Sequence, residues 1–212
     1  MTLKTCVLSI AALAVAAPAF AAPIGPSGTL FLAPGENEPF IGSVLLAGGV
    51  PVPFATAFYT GTLTTYVLGN DTTNPLGGLT FVYVMHNNGG SQNSLARLTV
   101  NGYTGWLTDA SYSTAGYLPP GGIIPLFIDR QANGDSLGFS FSNALGHSLV
   151  LPGADTSYLV IQTNAPAFRT NIANVIDGAV TQVDTYAPAI PTPGAAALMG
   201  IGVLAAARRR RV

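Results

Sequence analysis

The stretch "DRQANGDSLGFS", residues 129–140, offers alternating oxygen ligands around a glycine. Asp129, Gln131, Asn133 and Asp135 stand at the spacing of a calcium loop, which wraps a hard cation in oxygen donors and needs glycine for its sharp turn. Two positions depart from that pattern. Gln131 is a weak ligand, and Ser140 stands where a bidentate Glu normally closes the loop. The flanking segments also read as strands, where a calcium loop of this type has helices. The stretch therefore reads first as a hairpin connection, with Asp129, Asn133 and Asp135 as the candidate metal ligands.

Little else in the chain is arranged for catalysis. His86 and His147 are the only histidines, and neither has a second His or a Cys at ligand spacing. Serines are plentiful, but no G-x-S-x-G elbow is expected among them. Glu36 and Glu38, the only glutamates, fall in a Pro/Gly-rich stretch. Aspartates on different strands can meet to form a glycosidase pair, but no motif points to one. The expectation is a protein without catalytic activity and without a cofactor. A carbohydrate-binding module is the alternative reading: Tyr103, Trp106, Tyr112 and Tyr117 are the aromatics that would stack on sugar rings if they were exposed along one sheet face. As a set, Trp106 and the Tyr and Phe residues read instead as packing between sheets.

The elements that must position these residues are strands. Charged residues make up 8% of the chain, while Gly (25) and Pro (16) are abundant. Thr, Val, Tyr and Phe are well supplied, a mixture that suits short strands joined by tight turns. Strands are expected at 29–33, 41–47, 55–68, 79–85, 95–100, 106–112, 123–129, 137–142, 149–151, 158–163, 174–176 and 179–186. "GGVPVP" reads as a break, Gly61 as a bulge or turn, and "NAPAFRTN" as a turn. Leu79, Phe81, Tyr83 and Met85 share one face by the two-residue period of a strand. The Asn-x-Thr triplet at Asn70 reads as loop chemistry. Asp177-Gly178 is a hairpin dipeptide. The fold class implied is all-β, an antiparallel β-sandwich of immunoglobulin-like or jelly-roll kind.

The two ends read differently. Lys4, then the apolar run Val7–Ala17, then small residues at Ala19 and Ala21 make a signal peptide, 1–21, cut before Ala22. Cys6, the only cysteine, falls within it, so the exported chain is expected to fold without disulfides. Residues 22–190 form the expected ectodomain, with three arginines against nine acidic residues. Such a surface has no basic patch for phosphate backbones and excludes nucleic acid as a partner.

Residues 191–212 begin with Pro191-Thr192-Pro193 and continue with the uncharged, apolar segment Gly194–Ala207. They close with the run Arg208, Arg209, Arg210 and Arg211. As a helix the apolar segment would be roughly 21 Å long, shorter than the hydrocarbon core of a bilayer. Arginines behind such a segment favour the cytoplasmic side and leave the ectodomain outside.

This order of features resembles the PEP-CTERM sorting signal of bacteria, with Thr192 where Glu is usual. The resemblance implies recognition by an exosortase, a transpeptidase-like membrane protease, and a transient stay in the inner membrane. It also implies export to the cell surface or extracellular matrix, with extracellular polysaccharide and biofilm as the setting. The stretches "NPLGGLTFVY…LARLTVNGYTGWLTDASY" and "SYLVIQTNAP…NVIDG" are similar to ectodomains that carry this tail.

Overall fold

The computed structural model describes residues 23–31, 42–113, 122–146 and 148–190. The signal-peptide residues Ala19 and Ala21, the tail residues Pro191, Thr192, Pro193 and Arg208–Arg211, and Glu36, Glu38, Tyr117 and His147 lie outside the described residues.

The described residues form eleven strands: β1 (Thr29–Phe31), β2 (Val44–Ala55), β3 (Thr60–Gly69), β4 (Thr80–Asn87), β5 (Arg97–Val100), β6 (Thr108–Ser113), β7 (Phe127–Arg130), β8 (Leu137–Ser140), β9 (Tyr158–Thr163), β10 (Phe168–Asp177) and β11 (Ala179–Pro188). They form two sheets, ordered β1-β7-β8-β5-β10-β11 and β2-β3-β4-β9-β6, and every pairing between these strands is antiparallel. No helix occurs among the described residues. The described residues are therefore all-β, in two antiparallel sheets.

Both sheets contribute to one apolar core. Leu63, Val67, Phe81, Tyr83, Met85, Leu159 and Ile161 come from one sheet; Leu98, Val100, Ile128, Leu137, Phe139 and Val175 come from the other. The expected face of Leu79, Phe81, Tyr83 and Met85 is the core face. The opposite face of β4 is buried as well: Val82 and Val84 pack with Leu68, Tyr158 and Val160 in a second, smaller cluster. Strands apolar on both faces read as continuous hydrophobic runs, as "LTFVYVM" and "YLVIQT" do.

Three local expectations need correction. β2 runs straight through "GGVPVP", with register shifts at Leu45/Ala47 and Gly48/Pro51 absorbing the irregularity. β2 is an edge strand, so the missing N–H groups of Pro51 and Pro53 interrupt no ladder on a second side. Gly48 has φ 91°, and a side chain there would strike the Thr65 carbonyl. Likewise "FRTN" is strand, because β10 pairs with β11 over its whole length and Phe168 meets Tyr186 edge to face at 5.7 Å. Finally, the break between β2 and β3 falls at 56–59, where Thr56 Oγ1 accepts the backbone N–H groups of Phe58 and Tyr59. Gly61 is neither bulge nor turn. It lies in register between Phe54 and Asn87.

The loop 70–78 is secured by buried Asp71. One carboxylate oxygen accepts from the backbone and hydroxyl of Thr73, and the other from Thr80 Oγ1 (2.6 Å) and Gln162 Nε2 (3.0 Å). Asn70, with φ 55°, opens this turn, as loop chemistry requires.

A Cβ built on Gly61 would sit 2.1 Å from the His86 carbonyl and 2.6 Å from the Phe54 ring. Gly61→Ala is expected to lose about 1–3 kcal/mol in urea denaturation. Gly89→Ala, where nothing lies within 4 Å, should change stability by less than about 0.5 kcal/mol. Equal stabilities for the two variants would contradict the close approach.

Candidate functional site

Ile128 and Arg130 share the inward face of β7 by its two-residue period. Ile128 enters the core, but Arg130 ends the strand where the 101–106 turn, the 131–136 hairpin and the N-terminal segment converge. It is only 5% exposed. All five of its N–H groups are used. Nε donates to Gly134 O; Nη1 donates to Ile24 O and Thr108 Oγ1; Nη2 donates to Tyr103 O and Trp106 O, all at 2.8–2.9 Å. Burial lowers the pKa of this guanidinium from its ordinary value, an effect opposed by the nearby Asp135 charge. A buried charge is tolerated only where its hydrogen-bonding capacity is filled, and here it is filled by oxygens of four separate segments.

Tyr103 lies directly beneath. Its hydroxyl is 2.6 Å from that of Tyr83, which itself donates to the Tyr186 carbonyl at 3.0 Å. With the Tyr83 proton committed there, Tyr103 donates to Tyr83. Burial pushes the pKa of both phenols well above the ordinary tyrosine value.

Around this buried centre the surface forms two adjoining depressions. One, of about 190 Å³, is lined by Pro26, Gly105, Trp106, Leu107 and Asn133, with Arg130 at its floor. The other, of about 370 Å³, is lined by Gly102, Thr104, Gly105, Asp135, Arg169 and Ile190. Trp106 is half-buried, and its Nε1–H donates to Ala189 O at 3.2 Å. A third depression, about 300 Å³, lies between β2 and β11 and carries Asp184, Thr170 and Tyr186. Each of the three holds at most one carboxylate.

The structure does not assemble the candidate calcium ligands. Asp129 turns to Arg97, which grips it with two bonds of 2.6 and 2.8 Å. Arg97 reaches it across β8 over Gly138, where a Cβ would collide with the guanidinium. Asp135 accepts from Gly102 N–H and Thr104 Oγ1, and Asn133 Oδ1 accepts the N–H of Asp135. The segment is the expected hairpin between β7 and β8. Among the described residues no group of three His, Cys, Asp or Glu side chains is placed to hold a metal.

The aromatic platform is likewise dispersed, since Tyr103 and Tyr112 are fully buried and cannot stack on a ligand. Contrary to expectation, Gly134–Gly138 spells G-x-S-x-G. Its Ser136 precedes a strand and no helix follows, and its Oγ donates to Asn101 Oδ1 at 2.7 Å. That is not the strand-to-helix elbow of a nucleophile. His86 Nδ1 lies 2.9 Å from Asp155 Oδ1 at the surface. Comparison with family models, with curated proteins and with solved structures finds no match to this chain.

With each carboxylate of the 129–135 hairpin already engaged by a protein donor, calcium should add nothing to stability. Thermal melts in chelator and in excess calcium should coincide. A ligand specific to the folded state adds roughly 2.7 kcal/mol at a hundredfold excess over Kd. A calcium-dependent rise in Tm that disappears in Asp135→Ala would restore the metal site.

Proposed function

We propose that this chain is an exported cell-surface or extracellular-matrix protein without catalytic activity, sorted through its C-terminal tail by an exosortase-type membrane transpeptidase. The observation that carries the reading is the ordered tail: Pro191-Thr192-Pro193, the apolar Gly194–Ala207, and Arg208–Arg211. Proline disfavours helix interiors and central strands, so on this reading the Pro-Thr-Pro stretch is the part of the tail a protease can engage. The apolar segment is short for a permanent span, and the arginines hold its end on the cytoplasmic side.

Two features of the ectodomain agree with this reading. Its core is built from apolar side chains of both sheets and needs no disulfide, which suits a chain whose single cysteine falls in the expected signal peptide. The shared core also supports a β-sandwich as the architecture, a compact module of the kind a surface layer can present. Extracellular polysaccharide is the proposed surrounding, and the inner membrane is a temporary station.

The protein recovered from the surface fraction of its native host should lack residues from about 194 onward, as read from its C-terminal peptide. Replacing all four terminal arginines with Ser should abolish that processing. Intact "LAAAR" peptides at the surface, with abundance unchanged when Pro191-Thr192-Pro193 is replaced by alanines, would identify a plain anchor and overturn the sorting reading.

A further inference from the structure

Both ends of the described body leave from the same place. Ile24 N–H donates to Thr108 O, Trp106 Nε1–H donates to Ala189 O, and Ala189 N–H donates to Ala167 O. Pro23 and Ile190 therefore flank the 104–107 turn. Each leads to an apolar segment of the sequence: Val7–Ala17 on one side and Gly194–Ala207 on the other. Covalent geometry limits the separation whatever path the chain takes. Ile190 to Gly194 spans at most about 14 Å, and Ala17 to Pro23 at most about 21 Å.

Apolar groups are exposed at this exit, alongside the exposed polar side chains of Thr104, Asn133 and Asn164. Leu107 is 55% and Ile190 65% exposed, and Pro23, Pro166 and Ala167 are exposed beside them. Trp106, half-buried, stands among them with its ring at the rim of a depression. Trp is the side chain that settles at the boundary between headgroups and acyl chains. Two charged groups stand at the margin. Arg169 is half-buried, and its guanidinium suits a lipid phosphate; Asp135 has one oxygen already occupied by Gly102 and Thr104.

We propose that this rim, centred on Trp106, Leu107 and Ile190, rests on the membrane surface while the chain is held there, so that the body is seated on the bilayer and not suspended above it. The proposal rests on the tail reading given above. A tether that reaches at most about 14 Å from Ile190 leaves the rim within headgroup distance of any bilayer that receives Gly194–Ala207. Seating the rim places Pro191-Thr192-Pro193 at the membrane edge, where a membrane protease works.

Trp106 is the only tryptophan, so its fluorescence reports on this rim alone. The full 212-residue chain would be synthesised in the presence of phosphatidylcholine/phosphatidylglycerol vesicles, either plain or with brominated acyl chains, and isolated by flotation. The expected result is flotation together with loss of Trp106 emission in the brominated vesicles. The Leu107→Asp/Ile190→Asp variant, altered only at exposed positions, should still float but regain the emission. Flotation with equal emission in both vesicle types would overturn the seating while leaving the tail reading intact. Failure to float would remove the membrane hold itself, and the proposal with it.

Discussion

The end of the described body at which Pro23 and Ile190 stand is organised by one buried cation. Arg130 contributes five donors, and the Ile24, Tyr103, Trp106 and Gly134 carbonyls with the Thr108 hydroxyl accept them all. Removing any one of those segments would leave a buried donor unpaired, at a cost of about 1–3 kcal/mol or more for a charged group. The guanidinium thus ties the N-terminal segment, the 101–106 turn, the 131–136 hairpin and β6 into one unit. The depressions around Trp106 exist because this unit is fixed. A lysine at the same place, with three donors on a single nitrogen, could not span the same acceptors.

The same logic recurs wherever the sheets bury polarity. Asp71 binds its loop to β4 and β9 through Thr80 and Gln162. Thr65 and Thr185 share a 2.7 Å bond between the two sheets, and the Tyr59 hydroxyl lies 2.9 Å from the Val175 carbonyl. In a chain with so few charges, these contacts set register and sheet alignment where apolar packing alone is permissive. They also use up the groups that sequence reading would assign to chemistry. Asp129 is taken up by Arg97, and Tyr103 by Tyr83.

Much of the fold was legible because a strand's period of two is a local property. Tyr158–Thr163 has the bounds expected of it, the 131–136 hairpin joins the strands it should, and the Leu79–Met85 face is the core face. Strand continuity through "GGVPVP" was not legible, since two glycines and two prolines signal a break unless the strand is known to be an edge, and edge position is a tertiary fact. The extent of β10 was hidden in the same way, because its pairing with β11 overrides the turn character of "APAFRTN". The site was harder still. Arg130 follows Ile128 on the inward face of β7, but the strand expected from the sequence ends at 129 and leaves Arg130 in the hairpin connection, so its burial was not legible. Its acceptors, too, come from Ile24, 106 positions away, and from turns whose approach no local pattern encodes.

Amide hydrogen exchange tests most directly whether Arg130 holds this end together. The N–H of Ile24, bonded to Thr108 O, and that of Trp106, bonded to Tyr103 O, report on two of the segments it joins. In the native protein both should exchange as slowly as the core amides of Phe81 and Ile161. In Arg130→Lys they should exchange rapidly, while Phe81 and Ile161 stay protected. Rapid exchange at Ile24 and Trp106 in the native protein, or no change in the variant, would contradict the central role given to this arginine.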